Sequence, residues 1–253
     1  MDDPGWHAGR RSGALVHGLP IIGGPPARPQ LLRDGKETRA KGHSRHERIA
    51  RLPQDQCELV DGIATCTTPR VVVDLARAEP FRNGVVVADA ALRAGTTKAE
   101  LLAVARGMRR WPGIVQARAV IEFADPRTES PGESVTRVAF RVESLPIPEP
   151  QVEVWRWGRF VARLDFLCRA ELLAVEFNGA MKFTDEGVLP DLLERAEDIR
   201  DCGIAVLHTN WKETFRNTEA FGRRVRQRLN EPGRRLAPGV ELRSTVFRLT
   251  DAA

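Results

Sequence analysis

The chain contains no tyrosine, only three methionines and four cysteines, and aromatic residues make up 6% of its 253 positions. The missing tyrosine, beside abundant arginine, alanine and valine, marks a GC-rich coding sequence. Cys57, Cys66, Cys168 and Cys202 lack the spacing of a zinc module. Cys57 and Cys66 could pair, but free thiols are the expectation for a cytoplasmic protein. Long apolar runs are missing as well. The longest fall far short of the roughly 18–20 residues that span a bilayer. No apolar segment follows the N-terminal charges as in a signal peptide. These absences argue against a membrane or secreted protein and predict a cytoplasmic one.

What is present reads as globular: 42% apolar and 29% charged residues, enough for one large or two small domains. The net charge of +5 is unevenly spread. Residues 1–51 carry +5, residues 52–211 carry −5 and residues 212–248 carry +6. Two basic ends around an acidic middle suit a polyanion held by its phosphates. The plainer account is a set of solvated charged faces.

Along the chain, Arg11–Leu19 predicts a short helix, and Arg33–Arg51 a solvated basic loop. His43 and His46 within that loop have the spacing of zinc ligands but no further Cys or His nearby. Asp61-Gly62 signals a hairpin. Thr68–Arg77, Phe81–Arg93 and Gln116–Ala124 read as helices, and Thr97 with Glu100 forms a capping box. Asp74 and Arg77 need no role beyond a core or helix face. Ser130 caps the next helix, with Pro131 in its first position and Glu133 three residues on. A strand from Gln151 to Trp157, a turn at Gly158, two further strands, a helix ending at Gly203, the strand Ile204–His208 and the helix Thr214–Leu229 complete the chain. Glu194, Glu197 and Asp198 read as a solvated flank.

Two of those strands each carry a carboxylate where a core residue is expected, Asp165 and Glu176. An unpaired buried carboxylate is expensive. Pairing Val161–Leu167 with Leu172–Asn178 across the loop Cys168–Glu171 sets Asp165 opposite Ala174 and Arg163 opposite Glu176. Asp165 and Glu176 then share one sheet face as diagonal neighbours, roughly 7–8 Å apart, with Asn178 beside them. Two carboxylates so placed can both reach one Mg²⁺. A loop with an odd number of residues would put them on opposite faces. The alternative is a half-exposed sheet with Arg163 paired to Glu176.

Asp165, the run Glu176-Phe177-Asn178-Gly179 and Lys182 together resemble the PD-(D/E)xK nuclease superfamily. The likeness is closest to actinobacterial proteins with a C-terminal domain similar to very-short-patch-repair endonucleases. It extends upstream to Ser130–Ser134 and downstream to Glu194–Asp198, covering about residues 125–229. Arg11–Pro20 and Thr68–Arg77 resemble the AbiEi-type antitoxin region that accompanies such domains. In those relatives a small winged helix precedes this stretch, and the chain is expected to begin after it. The resemblance implies an α/β fold: a restriction-endonuclease-like αβββαβ core over residues 125–253, behind a basic, mainly helical region over residues 1–124. It implies a Mg²⁺- or Mn²⁺-dependent DNA endonuclease. Asp165 and Glu176 would hold the metal, with Asn178 as a neutral ligand. Lys182 would position the attacking water or stabilise charge on phosphorus, and Glu133 would be an outer ligand or water contact. Arg223, Arg224, Arg226 and Arg228 would grip the DNA backbone. A toxin protein is the other partner it suggests.

There are departures from the group. Asn178 replaces an Asp, the usual Lys two residues after the Glu is absent, and His208 and Asn210 stand where the group ends a strand with Arg and Trp. These favour, as the alternative, a DNA-binding regulator or antitoxin-type protein with an inactive nuclease fold.

Overall fold

The computed structural model describes residues 5–35, 38–41, 46–179 and 188–246, with side chains left undescribed at 38–41, 46–48 and 188–193. The fold is mixed α/β. The chain divides into two compact units between Pro126 and Arg127. Among the described residues no helix is long and apolar enough to cross a membrane.

The first unit contains β1 (His7–Ala8), α1 (Arg10–Val16), β2 (Gln30–Arg33), β3 (Thr38–Lys41), β4 (His46–Ile49), β5 (Cys57–Val60) and β6 (Ile63–Cys66). The helices α2 (Thr68–Ala78), α3 (Phe81–Arg93), α4 (Lys98–Gly107) and α5 (Ile114–Phe123) follow. The short strands make one sheet in the order β3-β4-β2-β1-β6-β5. This corrects the reading of Arg33–Arg51 as loop. Strands of four largely polar residues show no apolar alternation, so nothing in the residue pattern announces them. His43 lies outside the described residues. The β5–β6 hairpin turns at Asp61 and Gly62, both with positive φ (49° and 78°), as a two-residue turn requires. At α4 both halves of the Thr97–Glu100 capping box are present.

The helical part of this unit surrounds a buried charge cluster. The Asp74 carboxylate accepts from Arg70 Nε at 2.8 Å and from Arg77 Nε at 2.7 Å. Both guanidinium groups lie over the Trp111 ring, 5.3 and 4.9 Å from its centroid. Burial alone pushes the Asp74 carboxyl up, but the two arginines outweigh it and hold it below the ordinary carboxylate range.

The second unit contains α6 (Pro131–Val142), β7 (Glu149–Arg156), β8 (Arg159–Cys168), β9 (Leu173–Phe177), α7 (Val188–Asp201), β10 (Ala205–Thr209), α8 (Thr218–Leu229) and β11 (Val240–Ser244). The αβββαβ order expected from the sequence is there, followed by a further helix and strand. The sheet order is β10-β9-β8-β7-β11, with β10 parallel to β9 and the other pairs antiparallel. Period-2 alternation gives the sheet two apolar faces. Phe166, Val175 and Leu207 pack with Phe140 of α6 and Phe221 and Val225 of α8. Leu167, Ala174 and Val206 pack with Ile199 of α7. Leu164 joins them although it shares the parity of Phe166, so β8 breaks its alternation between the two, where the pairing to β7 skips Gln151. By parity Asp165, Glu176 and His208 belong to the second face, beneath α7.

One close approach ties α6 to β9. A Cβ on Gly132 would lie 2.0 Å from Cε1 of Phe177. Gly132→Ala should therefore destabilise the protein by about 1–3 kcal/mol, the usual range for overpacking. A lower urea midpoint at unchanged m-value is the expected measurement, and an unchanged midpoint would refute the contact's importance.

Candidate functional site

The β8–β9 ladder pairs Cys168 with Leu173, Leu167 with Ala174 and Phe166 with Val175. Continued by one step, it sets Asp165 directly opposite Glu176. The expected register, Asp165 against Ala174, is thus corrected by two residues. The turn still holds four residues, now Arg169–Leu172, with Leu172 at φ 48°. A shift of two preserves parity, so both carboxylates share a face, and they are closer than the diagonal arrangement predicts.

The two groups are interlocked through the backbone. Asp165 N–H donates to Glu176 Oε1 at 3.2 Å, and Phe177 N–H donates to Asp165 Oδ2 at 2.8 Å. Asp165 Oδ1 has no donor among the described residues. On the far side of β8 the ladder pairs Pro150 with Phe166 and Val152 with Leu164, skipping Gln151 opposite Asp165. Gln151 has φ 55°, unusual for a residue other than glycine. Strain of this kind persists where the surrounding structure enforces it, commonly at functional sites.

Asp165, Glu176, Phe177, Asn178, Arg195, Ala196, Ile199, Val206 and His208 line a cavity of about 180 Å³. Glu176 is 8% exposed. Burial, then the Asp165 charge, pushes its carboxyl up to about 7. Burial raises Asp165 as well. A larger hollow of about 690 Å³ lies in the first unit, lined by His7, Arg33, Leu52 and Cys57 among others. The smaller cavity is the better candidate, because two carboxylates with raised proton affinity converge there.

Other expected residues are placed differently. Glu133 is buried but does not line the cavity. Its Oε1 accepts from Ser130 Oγ at 2.7 Å, and its Oε2 accepts from Glu129 N–H at 2.9 Å and Gln151 Nε2 at 3.0 Å. It braces the Ser130 cap of α6, and its charge adds to the upward push on Glu176. Asn178 lines the cavity while its N–H donates to the Thr209 carbonyl at 2.8 Å. Lys182 lies outside the described residues. Arg163 does not pair with Glu176; it bonds Glu129 at 2.7 Å. Arg223, Arg224, Arg226 and Arg228 are half exposed and paired with Glu219, Glu213, Glu143 and Glu231, respectively. Those pairings reduce the positive charge α8 presents. Glu194, Glu197 and Asp198 are exposed, as expected.

Two cavity residues were not anticipated. Arg195 of α7 donates through Nη2 to Glu176 Oε2 at 3.1 Å and to the Arg163 carbonyl at 2.7 Å. His208 lies within β10, in register with Glu176. Its Nδ1 is buried with no hydrogen-bond partner. Burial, then the charges of Arg200, Arg195 and Arg224, lowers its pKa. Parity along β10 from the buried Val206 was the available signal for His208.

Among the described residues no three His, Cys, Asp or Glu side chains form a ready metal cage. A hard cation such as Mg²⁺ needs only one or two carboxylates, the rest of its shell being water or phosphate. Asp165, with a free oxygen, and Glu176 fit that demand.

No family model matches the chain, and no solved structure matches it. It is similar to two uncharacterized proteins of Mycobacterium tuberculosis strains, each 32% identical over 134 residues. That match takes in 52% of this chain and 48% of each relative, so the chain spans about half the length of the curated relatives it matches.

Proposed function

We propose that the second unit is a metal-dependent DNA endonuclease domain acting on phosphodiester bonds in the cytoplasm, with DNA as its partner. The observation that carries this reading is the interlocked pair Asp165–Glu176, a half-buried and a buried carboxylate, both of raised proton affinity, opening on one cavity. A bound divalent cation supplies Lewis acidity toward a phosphodiester and a water of lowered pKa. Asp165 and Glu176 hold the cation's charge, the two backbone N–H groups fix the carboxylate orientations, and Asn178 offers a neutral oxygen at the cavity wall. The arginines of α8 serve the DNA backbone without reading sequence. Incubating mixed single- and double-stranded DNA with Mg²⁺ or Mn²⁺ tests the reading. Metal-dependent cleavage that disappears in Asp165→Ala supports it, and absence of cleavage with either metal overturns it.

One observation favours a second reading. Arg195 already pairs with Glu176, as befits a nuclease fold retained only for binding DNA, in a regulator or antitoxin-type protein with a toxin partner. DNA binding indifferent to metal, without cleavage, distinguishes it.

The first reading carries a pH signature. Glu176 holds a proton up to about pH 7, and a metal must displace it. Mn²⁺ affinity should therefore be about tenfold weaker at pH 6 than at pH 8, with proton release on binding. Calorimetry in buffers of different ionisation enthalpy measures both. Equal affinity at the two pH values would remove Glu176 from the ligand set.

A further inference from the structure

Arg195 is the only cationic side chain bonded to the carboxylate pair among the described residues, and its geometry is half engaged. The buried neighbours Ala196 and Ile199 seat α7 on the sheet and fix where residue 195 leaves the helix. From there a single nitrogen, Nη2, serves both Glu176 Oε2 and the Arg163 carbonyl. Nε and Nη1 have no partner among the described residues. The Arg195 side chain is 45% exposed, against 11% for Glu176. An ion pair exposed to this degree is weak and easily exchanged. A guanidinium with an unfilled fork, at the mouth of a cavity lined by carboxylates, has the shape that grips a phosphate.

We propose that Arg195 and a divalent cation compete for Glu176, and that the guanidinium displaced from Glu176 becomes the site's contact to the phosphate being cut. The inference rests on the nuclease reading. Without metal, Arg195 screens the carboxylate. With metal, the same side chain needs only to rotate outward to meet the anionic substrate, so Glu176 exchanges one cation for another.

Two measurements on the full chain test this. Arg195→Met removes the charge and keeps an apolar stem, and Arg195→Lys keeps a charge without the fork. Mn²⁺ binding alone, followed by electron paramagnetic resonance, should tighten about two- to fivefold in Arg195→Met, the range such an ion pair controls. Damage to the fold would weaken binding instead. Binding of a short DNA duplex in Ca²⁺ should weaken in the same variant, and the slope of log affinity against log salt should shrink by about 0.9, one phosphate contact. Arg195→Lys should retain the slope. Unchanged Mn²⁺ affinity or an unchanged salt slope in Arg195→Met overturns the proposal. If the unaltered protein binds Mn²⁺ and cleaves DNA while the variant matches it, only the role of Arg195 falls. If neither protein binds Mn²⁺ or cleaves DNA, the nuclease reading falls with it.

Discussion

On the proposed nuclease reading, Asp165→Asn should cut metal-dependent DNA cleavage by a factor on the order of 10²–10⁴ and at the same time make the protein harder to unfold. The loss corresponds to the several kcal/mol that a correctly held metal contributes at a phosphoryl group. The gain has a separate cause. Asn keeps an oxygen to accept the Phe177 N–H but removes a charge from a half-buried place beside Glu176. The native carboxyls have raised proton affinity. Their stabilising contribution is therefore fully present below the ordinary carboxylate range and is lost as pH rises through the folded values, about 7 for Glu176. Above pH 7 the variant should exceed the parent by about 1–3 kcal/mol in urea unfolding, and the two should converge below about pH 4.5. Activity and stability moving in opposite directions marks a site kept for function at the expense of the fold. A variant that is both inactive and less stable would mean that Asp165 is an ordinary structural residue.

The other large effect belongs to the first unit. Asp74→Ala should cost about 3–5 kcal/mol, because it leaves the guanidinium groups of Arg70 and Arg77 buried over Trp111 without a counter-charge. Asp74 is 2% exposed. Arg70 Nη1 would retain only the Arg51 carbonyl and Gln56 Oε1. Replacing all three charged residues by apolar ones of similar volume should cost less than the single change, since no unpaired charge remains. Chemical denaturation of the single and triple variants measures this. A single variant within 1 kcal/mol of the parent would contradict the assignment of Asp74 as the counter-ion. The pH sign is the reverse of that at Asp165. The Asp74 carboxyl is held low, so its contribution is present above the unfolded value and lost only as pH falls through the folded one.

The sequence pattern already contained the shared face of Asp165 and Glu176, because parity survives an error of two residues in register. It did not contain the register itself. That depends on Leu172 entering the turn with a positive φ, which its side chain does not favour. The caps at Thr97 and Ser130 were legible because each rests on a residue and its partner three positions on. Glu133 looked equally suited to cap and to site, and its three hydrogen bonds tie it to the Ser130 end of α6 and to Gln151. Arg195 was hidden in an acidic helical flank. What distinguishes it from its neighbours is contact with Glu176, nineteen residues away on another element. Strands β3 and β4 were illegible because hydrogen bonding to neighbours, not apolar alternation, makes them strands.

The missing side chain at Gly132 has a consequence for working conditions. The Phe177 ring edge fills that space, so the start of the helix bearing Glu133 and the end of the strand bearing Glu176 are spaced by an apolar contact. Electrolyte weakens charge pairs over a distance of about 8 Å at physiological ionic strength, but it leaves such a spacer untouched. Brine strong enough to loosen the exposed ion pairs of the second unit should thus leave the spacing of α6 and β9 as it was.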